Sequence, residues 1–384
     1  MRFEFATAHR ILFGPGTLKE IGPLARHLGG RAFVVTGRTT ARAGRLLALL
    51  AESQVSAVVF PLAGEPTVAA VGAGAALARS ECCDLVIGYG GGSAVDAAKA
   101  IAALVTNGGE PLDYLEVIGR GQPLGRPSAP CVAIPTTAGT GAEVTRNAVL
   151  AAPEHGVKAS LRSPFLLPQL ALVDPELTHD VPPDITAATG LDTLTQLIEP
   201  YVSNRANPMT DGFCLAGLQR VARSLRRAWE DGRDAEARAD MALASLCGGL
   251  ALANAGLGAV HGLAAPIGGS FLAPHGAVCA ALLPAVMEVN LRALRKRLAA
   301  SGALHRYQRV AELITGRESA LPEEGVAWVR RLCGDLRIPG LGAHGVEAAA
   351  VPTLVAKATH ASSMKANPVP LTPAELEEIL VRSL

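Results

Sequence analysis

Two glycine-rich polar loops each follow a stretch typical of a buried strand, and their chemistry suits phosphate binding. The first covers residues 88–93 and reads Gly-Tyr-Gly-Gly-Gly-Ser. Glycines let the backbone approach a ligand closely, and the first turn of the next helix offers free N–H groups and partial positive charge. We predict a pyrophosphate site here, with Ser93 capping the helix and Asp96 three residues later as a capping-box variant. A tight strand-to-helix turn without a ligand is the alternative.

The second loop covers residues 134–145 and reads Ile-Pro-Thr-Thr-Ala-Gly-Thr-Gly-Ala-Glu-Val-Thr. It places three hydroxyls, those of Thr136, Thr137 and Thr140, after a predicted strand. Open α/β sheets bind ligands at the carboxyl ends of their strands. A threonine-rich turn is the simpler alternative, but two such loops after two strands favour a nucleotide crevice.

The elements that position these loops alternate along the first half of the chain. Strands are predicted at residues 31–36, 57–60, 84–88 and 131–135, and helices at residues 41–52, 67–80 and 94–106. Alternation of this kind predicts a parallel sheet covered by helices.

The second half shows helical patterns and no convincing strand. Helices are predicted at residues 184–203, 208–231, 234–255, 276–297, 304–315 and 323–333. We therefore expect an α/β NAD(P)-binding domain over residues 1–180 and an all-α catalytic domain over residues 181–384.

Composition limits the classes of partner. The 384 residues are 49% hydrophobic and 18% charged, with a net charge of +1. Such a chain can bury a large core, and it has no global field to attract nucleic acid or an anionic membrane. The first residues show no apolar signal core, so we expect a cytoplasmic protein with reduced thiols and neither nucleic-acid nor membrane partners.

The sequence resembles a known family, the iron-containing (group III) alcohol dehydrogenases. The resemblance lies in GGGSAVDAAKA (90–100), PTTAGTGAEVT (135–145), LVDPELT (172–178) and the long motifs over residues 182–203 and 258–284. It covers nearly the whole chain in order, and the maleylacetate reductases are relatives. It implies the dehydroquinate synthase-like fold, hydride transfer between NAD or NADP and a small alcohol, aldehyde or ketone in the interdomain cleft, and a homodimer.

The resemblance also assigns cofactor contacts. Gly91, Gly92, Ser93 and Asp96 would hold the pyrophosphate and nearby groups. Thr136, Thr137 and Thr140 would line the crevice, Lys158 would reach the ribose and Leu177 would flank the adenosine.

The turn after the first predicted strand bears on the choice of coenzyme. Many NAD-preferring relatives carry an acid there, whereas this chain reads Thr36-Gly37-Arg38. A missing carboxylate removes repulsion against a 2′-phosphate, and Arg38 could attract one. NADP is therefore a hypothesis beside NAD.

The family's metal ligands are one Asp and three His, and this chain departs from them. Its D-x-x-x-H motif reads Asp192-Thr-Leu-Thr-Gln196, while the other two ligands match His261 and His275. Asp192, His261 and His275 would still form a set able to hold Fe(II) or Zn(II), with Gln196 filling a fourth position or contacting substrate. A further family histidine, four residues after the first of these two, is Ala265 here.

Two mechanisms of hydride transfer and two competing classes of protein follow from these residues. With metal, a Lewis acid would stabilise the developing alkoxide; without it, His261 or His275 would donate to the oxygen, helped by Gln196. The competing classes are a non-redox lyase on a related scaffold and a catalytically weakened NAD(P)-binding protein.

Overall fold

The computed structural model describes residues 2–271 and 273–384, and the chain divides into two compact units. The α/β unit consists of Thr7–Thr137 and Gly141–His179. The helical unit consists of Asp180–Leu384 together with Ala138–Thr140 and the N-terminal residues up to Ala6.

The α/β unit is built on a six-stranded parallel sheet. In chain order the strands are β1 Ile11–Phe13, β2 Arg31–Gly37, β3 Ser56–Leu62, β4 Leu85–Gly90, β5 Cys131–Pro135 and, after a hairpin, β8 Leu170–Val173. They lie in the order β1-β8-β5-β4-β2-β3, and every pair is parallel. The antiparallel hairpin pairs β6 Asn147–Ala152 with β7 Val157–Arg162.

Helices cover both faces of this sheet, as expected for buried parallel strands. They are α1 Ile21–Leu28, α2 Gly44–Glu52, α3 Val68–Ser80, α4 Gly92–Asn107 and the short α5 Pro111–Tyr114. One core packs α3 and α4 on one face, and a second packs α1 and α2 on the other. The predicted α/β class with a parallel sheet is confirmed.

The predicted all-α class of the C-terminal half is also confirmed. Its helices are α6 Pro183–Val202, α7 Pro208–Glu230, α8 Ala235–Ala255, α9 Ala259–Ser270, α10 His275–Arg297, α11 Ala303–Thr315, α12 Pro322–Asp335, α13 Val351–Thr359 and α14 Pro373–Ser383. The sequence patterns missed α9, α13 and α14. Within residues 180–271 and 273–384 the structure contains no strand.

Side-chain caps fix where several of these helices begin. Asn207 accepts hydrogen bonds from the amides of Met209 and Thr210 at the start of α7. Asp234 caps α8, and Thr372 forms a reciprocal capping box with Glu375 at the start of α14. Each cap satisfies N–H groups that have no partner inside the helix.

One helix, α10, is long and apolar enough to cross a membrane, and the bent pair α8 and α9 passes the same test if taken as one span. In α10, 78% of the apolar window is buried inside the protein. Its apolar residues pack in the main core of the helical unit, which is typical of a core helix.

Candidate active site

The glycine loop leads directly from β4 into α4. Gly90 has φ +158° with its Cβ position 2.8 Å from the Ala94 Cβ, so a side chain would be strained and crowded there. The N-cap of α4 is Gly91, and among the described residues no side chain accepts a hydrogen bond at this helix start. The prediction that Ser93 caps the helix is therefore wrong, because the helix already begins at Gly92. An uncapped helix start of this kind is suited to an anion.

Asp96 serves a different contact from the predicted capping box. Its Oδ2 accepts the Val149 amide at 3.0 Å, and its Oδ1 lies 2.8 Å from Lys99 Nζ. Lys99 is fully buried and also donates to the Ala142 carbonyl and the Thr145 hydroxyl. Lys99 thus ties α4 to the turn after β5, and Asp96 ties it to the hairpin. The capping-box prediction is wrong because the Asp96 carboxylate is bound to Val149 and Lys99 and not to the start of α4.

The first βα turn adjoins this loop. β2 pairs with β4, and a Cβ on Gly90 would lie 3.6 Å from the Gly37 amide nitrogen. The chain runs from β2 to β3 on one side and from β4 to β5 on the other, so the sheet's switch point lies between β2 and β4. Gly37 and Arg38 are both exposed at this point, which is where open α/β sheets bind dinucleotides.

The other predicted cofactor residues are only partly brought together. Thr136 and Thr137 lie at the end of β5 in the α/β unit, and Oγ1 of Thr137 is 3.4 Å from the Cβ position of Gly91 in the glycine loop. Thr140 belongs to the helical unit. Lys158 on β7 forms an ion pair with Glu65 at 2.6 Å. Leu177 lies on the 3₁₀ turn Pro175–Thr178 after β8 and packs against the core that holds α1 and α2.

The helical unit gathers the predicted metal-site residues into one cluster, in which Asp192 and His261 are buried and His275 is partly exposed. Ligand atoms of Asp192, His261, His275 and Cys279 all lie within 4.8 Å of one another. Nε2 of His261 is 3.5 Å and Nε2 of His275 is 3.8 Å from Oδ1 of Asp192. α6 supplies Asp192, α9 supplies His261, and α10 begins at His275.

His261 is held by a carboxylate that the sequence analysis missed. Its Nδ1 lies 2.7 Å from Oε2 of Glu199 on α6. Because a carboxylate only accepts, Nδ1 carries a proton, and Nε2 is the nitrogen that faces Asp192 and can offer its lone pair to a metal ion. A carboxylate that accepts from the far nitrogen of the ring commonly fixes the tautomer of a metal-binding histidine.

The start of α9 is built around the same carboxylate. Oε1 of Glu199 accepts the Val260 amide at 2.7 Å, and Oδ1 of Asn367 accepts the Ala259 amide at 3.1 Å. A Cβ on Gly258 would lie 2.8 Å from Glu199 Oε1 and 2.9 Å from Asn367 Oδ1, so only glycine fits there. Two side chains from distant segments therefore fix the helix turn that carries His261.

Gln196, the residue in place of a family histidine, contacts Asp192 directly. Its Nε2 donates to Oδ2 of Asp192 at 3.0 Å. In the described part of the chain, three buried atoms of the cluster have no hydrogen-bond partner: Oδ1 of Asp192, Oε1 of Gln196 and Nε2 of His261. Two of them, Oδ1 of Asp192 and Nε2 of His261, lie 3.5 Å apart. Because buried polar atoms without partners are costly, this pair indicates a ligand.

The electrostatics of the cluster favour positive charge. Burial lowers the pKa of His261, but the Cys279 sulfur and the Glu199 carboxylate outweigh it and raise that pKa well above its ordinary value. The Cys279 sulfur also raises the pKa of His275 against burial. Burial raises the pKa of Asp192, but the two histidines outweigh it and leave that pKa below its usual range. A divalent cation among these groups satisfies the same preference.

The residues that sequence reasoning missed carried a signal in their spacing. Asp192, Gln196 and Glu199 stand at i, i+4 and i+7, which is one face of a helix, and Cys279 follows His275 by four residues. Ala265, where the family places a further histidine, is exposed on α9.

The α/β unit carries a glycine loop at the switch point of its parallel sheet, and the helical unit carries a cluster of histidines and carboxylates. These are the parts of a nicotinamide-dependent dehydrogenase. Comparison with known proteins agrees. Residues 8–175 match the family model of the iron-containing alcohol dehydrogenases, and residues 186–384 match the model of that family's C-terminal region.

Individual relatives cover nearly the full length. Long-chain-alcohol dehydrogenase 1 of Geobacillus thermodenitrificans is 36% identical, with 96% of this chain and 95% of that protein aligned. Alcohol dehydrogenase 4 of Saccharomyces cerevisiae is also 36% identical, with 97% and 96% aligned.

Solved structures share the fold. A crystal structure of 1,3-propanediol oxidoreductase superposes with a TM-score of 0.92 at 33% identity over 100% of both chains. Sulfoacetaldehyde reductase from Bifidobacterium kashiwanohense, solved with NAD⁺, gives 0.87 at 29% identity over 100% of this chain and 99% of that one.

The chain therefore belongs to the iron-containing alcohol dehydrogenase family, as its motifs predicted. Its activity is that of a nicotinamide-dependent alcohol/aldehyde oxidoreductase. The comparisons do not favour a lyase or a weakened cofactor-binding protein.

Proposed function

We propose that the protein reduces a small aldehyde or ketone, or oxidises the alcohol in reverse, at the cluster of Asp192, His261 and His275. The observation that carries this proposal is the set of buried, unpartnered atoms that converge there. Nicotinamide, when bound, supplies the hydride in reduction or takes it in oxidation.

The residues present fit a divalent metal ion. Asp192, His261 and His275 would hold it, and Glu199 and Gln196 would orient His261 and Asp192 through their hydrogen bonds. A bound Fe(II) or Zn(II) supplies positive charge for the oxygen of the carbonyl group as it becomes an alkoxide.

For the dinucleotide, the uncapped start of α4 supports a pyrophosphate site at Gly91, Gly92 and Ser93. Asp96 supports it indirectly through Lys99, because both hold α4 against the turn that follows Thr136 and Thr137. Lys158, paired with Glu65 just before α3, remains the candidate for the ribose, and Leu177 for the adenosine.

The coenzyme preference rests on the turn after β2. Gly37 and Arg38 are exposed, residues 37–43 contain no carboxylate, and Arg42 lies in the same turn. We propose that NADPH is accepted there as well as NADH, because the arginines attract a 2′-phosphate. The homodimer that the resemblance implies and the cytoplasmic location expected from the composition stay predictions, and light scattering on purified protein tests the first.

The experiment is aldehyde-dependent oxidation of NADH and NADPH by purified protein, before and after chelation. We expect His261→Ala and His275→Ala each to lose most of the turnover. His305→Ala, an exposed histidine on α11, is the matched control and should keep it. Near-normal turnover in both active-site variants would refute the proposal.

A further inference from the structure

The strongest unassigned feature of the helical unit is the thiol of Cys279. It is fully buried on α10, one turn after His275, and its sulfur lies 3.6 Å from Nε2 of His275. Residues four apart share a helix face, so α10 presents an imidazole and a thiol side by side. The sulfur lies within 4.8 Å of the ligand atoms of Asp192, His261 and His275.

Gln196 is poorly placed to be the fourth ligand. Its amide nitrogen donates to Oδ2 of Asp192, while Oδ1 of the same carboxylate is the oxygen near the two imidazoles. An amide oxygen is also a neutral and weak donor compared with a thiolate. Gln196 therefore orients Asp192, and the position of the lost histidine ligand is left to another group.

We propose that Cys279 binds as a thiolate and completes a four-ligand metal site with Asp192, His261 and His275. The inference deepens the proposed function, since it rests on a metal acting at this cluster. Binding forms one metal–sulfur bond and releases the thiol proton to solvent, with no change of oxidation state. The soft sulfur donor favours Zn(II) over the harder cations that an all-oxygen and nitrogen set accepts.

Independent observations support a ligand at this position. Oδ1 of Asp192 and Nε2 of His261 are buried, point into the cluster and have no hydrogen-bond partner in the described residues. Glu199 fixes the His261 ring so that Nε2 faces the cluster. A thiol that only fills space would not explain why these two unpartnered atoms lie within 4.8 Å of its sulfur.

The experiment loads chelator-stripped full-length protein with Co(II) or Zn(II). In the wild type we expect a thiolate-to-cobalt charge-transfer band and, by X-ray absorption of the zinc form, a sulfur neighbour at about 2.3 Å. Cys279→Ser should lose both signatures and weaken zinc binding at least about 10-fold in competition with a chromophoric chelator. Cys214→Ser, an equally buried cysteine outside the cluster, is the matched control and should keep them.

A second variant guards against misfolding. Adding Gln196→His to Cys279→Ser restores the family's ligand set, so zinc affinity should recover while the sulfur signature stays absent. A wild-type cobalt spectrum without a sulfur band, or equal zinc affinity in Cys279→Ser, would overturn the inference.

Failure of the thiolate site and failure of the proposed function give different results. If stripped protein binds neither metal but still reduces aldehydes with NAD(P)H, the thiolate site is wrong and the oxidoreductase assignment stands. If the sulfur signature is present but loaded protein never turns over NAD(P)H, the proposed function is wrong and the metal site stands.

Discussion

Replacing Glu199 by glutamine removes the charge that holds His261. The carboxylate lies 2.7 Å from Nδ1 of His261, a charge-assisted hydrogen bond worth about 1.5–3 kcal/mol. In Glu199→Gln, Oε1 can still accept the Val260 amide, but the new NH₂ group faces Nδ1 as a donor. The imidazole must then place its proton on Nε2, which removes the lone pair from the cluster.

The expected result is metal affinity and turnover that fall about 10- to 100-fold, with little change in KM for the coenzyme. Chelator competition gives the affinity, and ¹⁵N NMR of the histidine side chains shows the tautomer. Asp240→Asn is the matched control, because this buried carboxylate binds Arg223 and Ser224 away from the cluster. Unchanged metal affinity, together with a proton still on Nδ1 of His261, would refute the reasoning.

Three further predictions test other parts of the structure. Gly37→Asp should lower the NADPH/NADH ratio of kcat/KM at least about 10-fold, because the new carboxylate repels a 2′-phosphate. The side chain has room, since nothing lies within 4 Å of the Cβ position of Gly37. An unchanged ratio would contradict the proposed binding of the 2′-phosphate at this turn. Gly258→Ala should destabilise the protein by about 1–3 kcal/mol in urea, because its Cβ meets Glu199 and Asn367, while Gly302→Ala, with open space around it, should change stability little. The hydrogen bond and charge of Arg297 lower the pKa of Glu375 to about 2, so this carboxylate stabilises the fold above about pH 4.5 and loses that contribution as pH falls towards 2. Because solvent screens the partly exposed arginine, Glu375→Gln should lower the free energy of unfolding by about 1–2 kcal/mol at pH 6 and by little at pH 2.5. An equal loss at both pH values would be inconsistent with the pairing.

The fold was predictable where local patterns are strong. β2, β4 and β5 are continuous apolar runs bounded by glycine or proline, and each appears within a few residues of its predicted range. The strands β1 and β8 are only three and four residues long, too short to show a period. The hairpin of β6 and β7 was missed because β6 buries every second residue although nearly all of its residues are apolar, so the sequence shows no alternation.

The missed helix α9 shows why the rest required tertiary structure. It contains Pro266 and several glycines, which argue against a helix in isolation. Glu199 and Asn367 supply the hydrogen bonds that its first turn lacks, and no local pattern reveals them. α14 differs, since Thr372 and Glu375 carry a capping-box signal in the sequence itself.

The candidate site likewise was predictable only where the sequence itself carries the pattern. Asp192, His261 and His275 were assigned through the resemblance, and the structure brings their ligand atoms together, although their roles stay predictions. The sequence offered Gln196 as the replacement ligand because it occupies the lost histidine's position. Cys279 comes from a different helix, so only the packing of α6 against α10 reveals its nearness to Asp192.

The most direct test of the central claim follows the hydride itself. Purified protein is given an aldehyde and coenzyme deuterated at both C4 positions, and the product alcohol is examined by mass spectrometry. We expect one deuterium in the alcohol for each coenzyme oxidised. Unlabelled alcohol, or no coenzyme oxidation with any aldehyde tested, would contradict it.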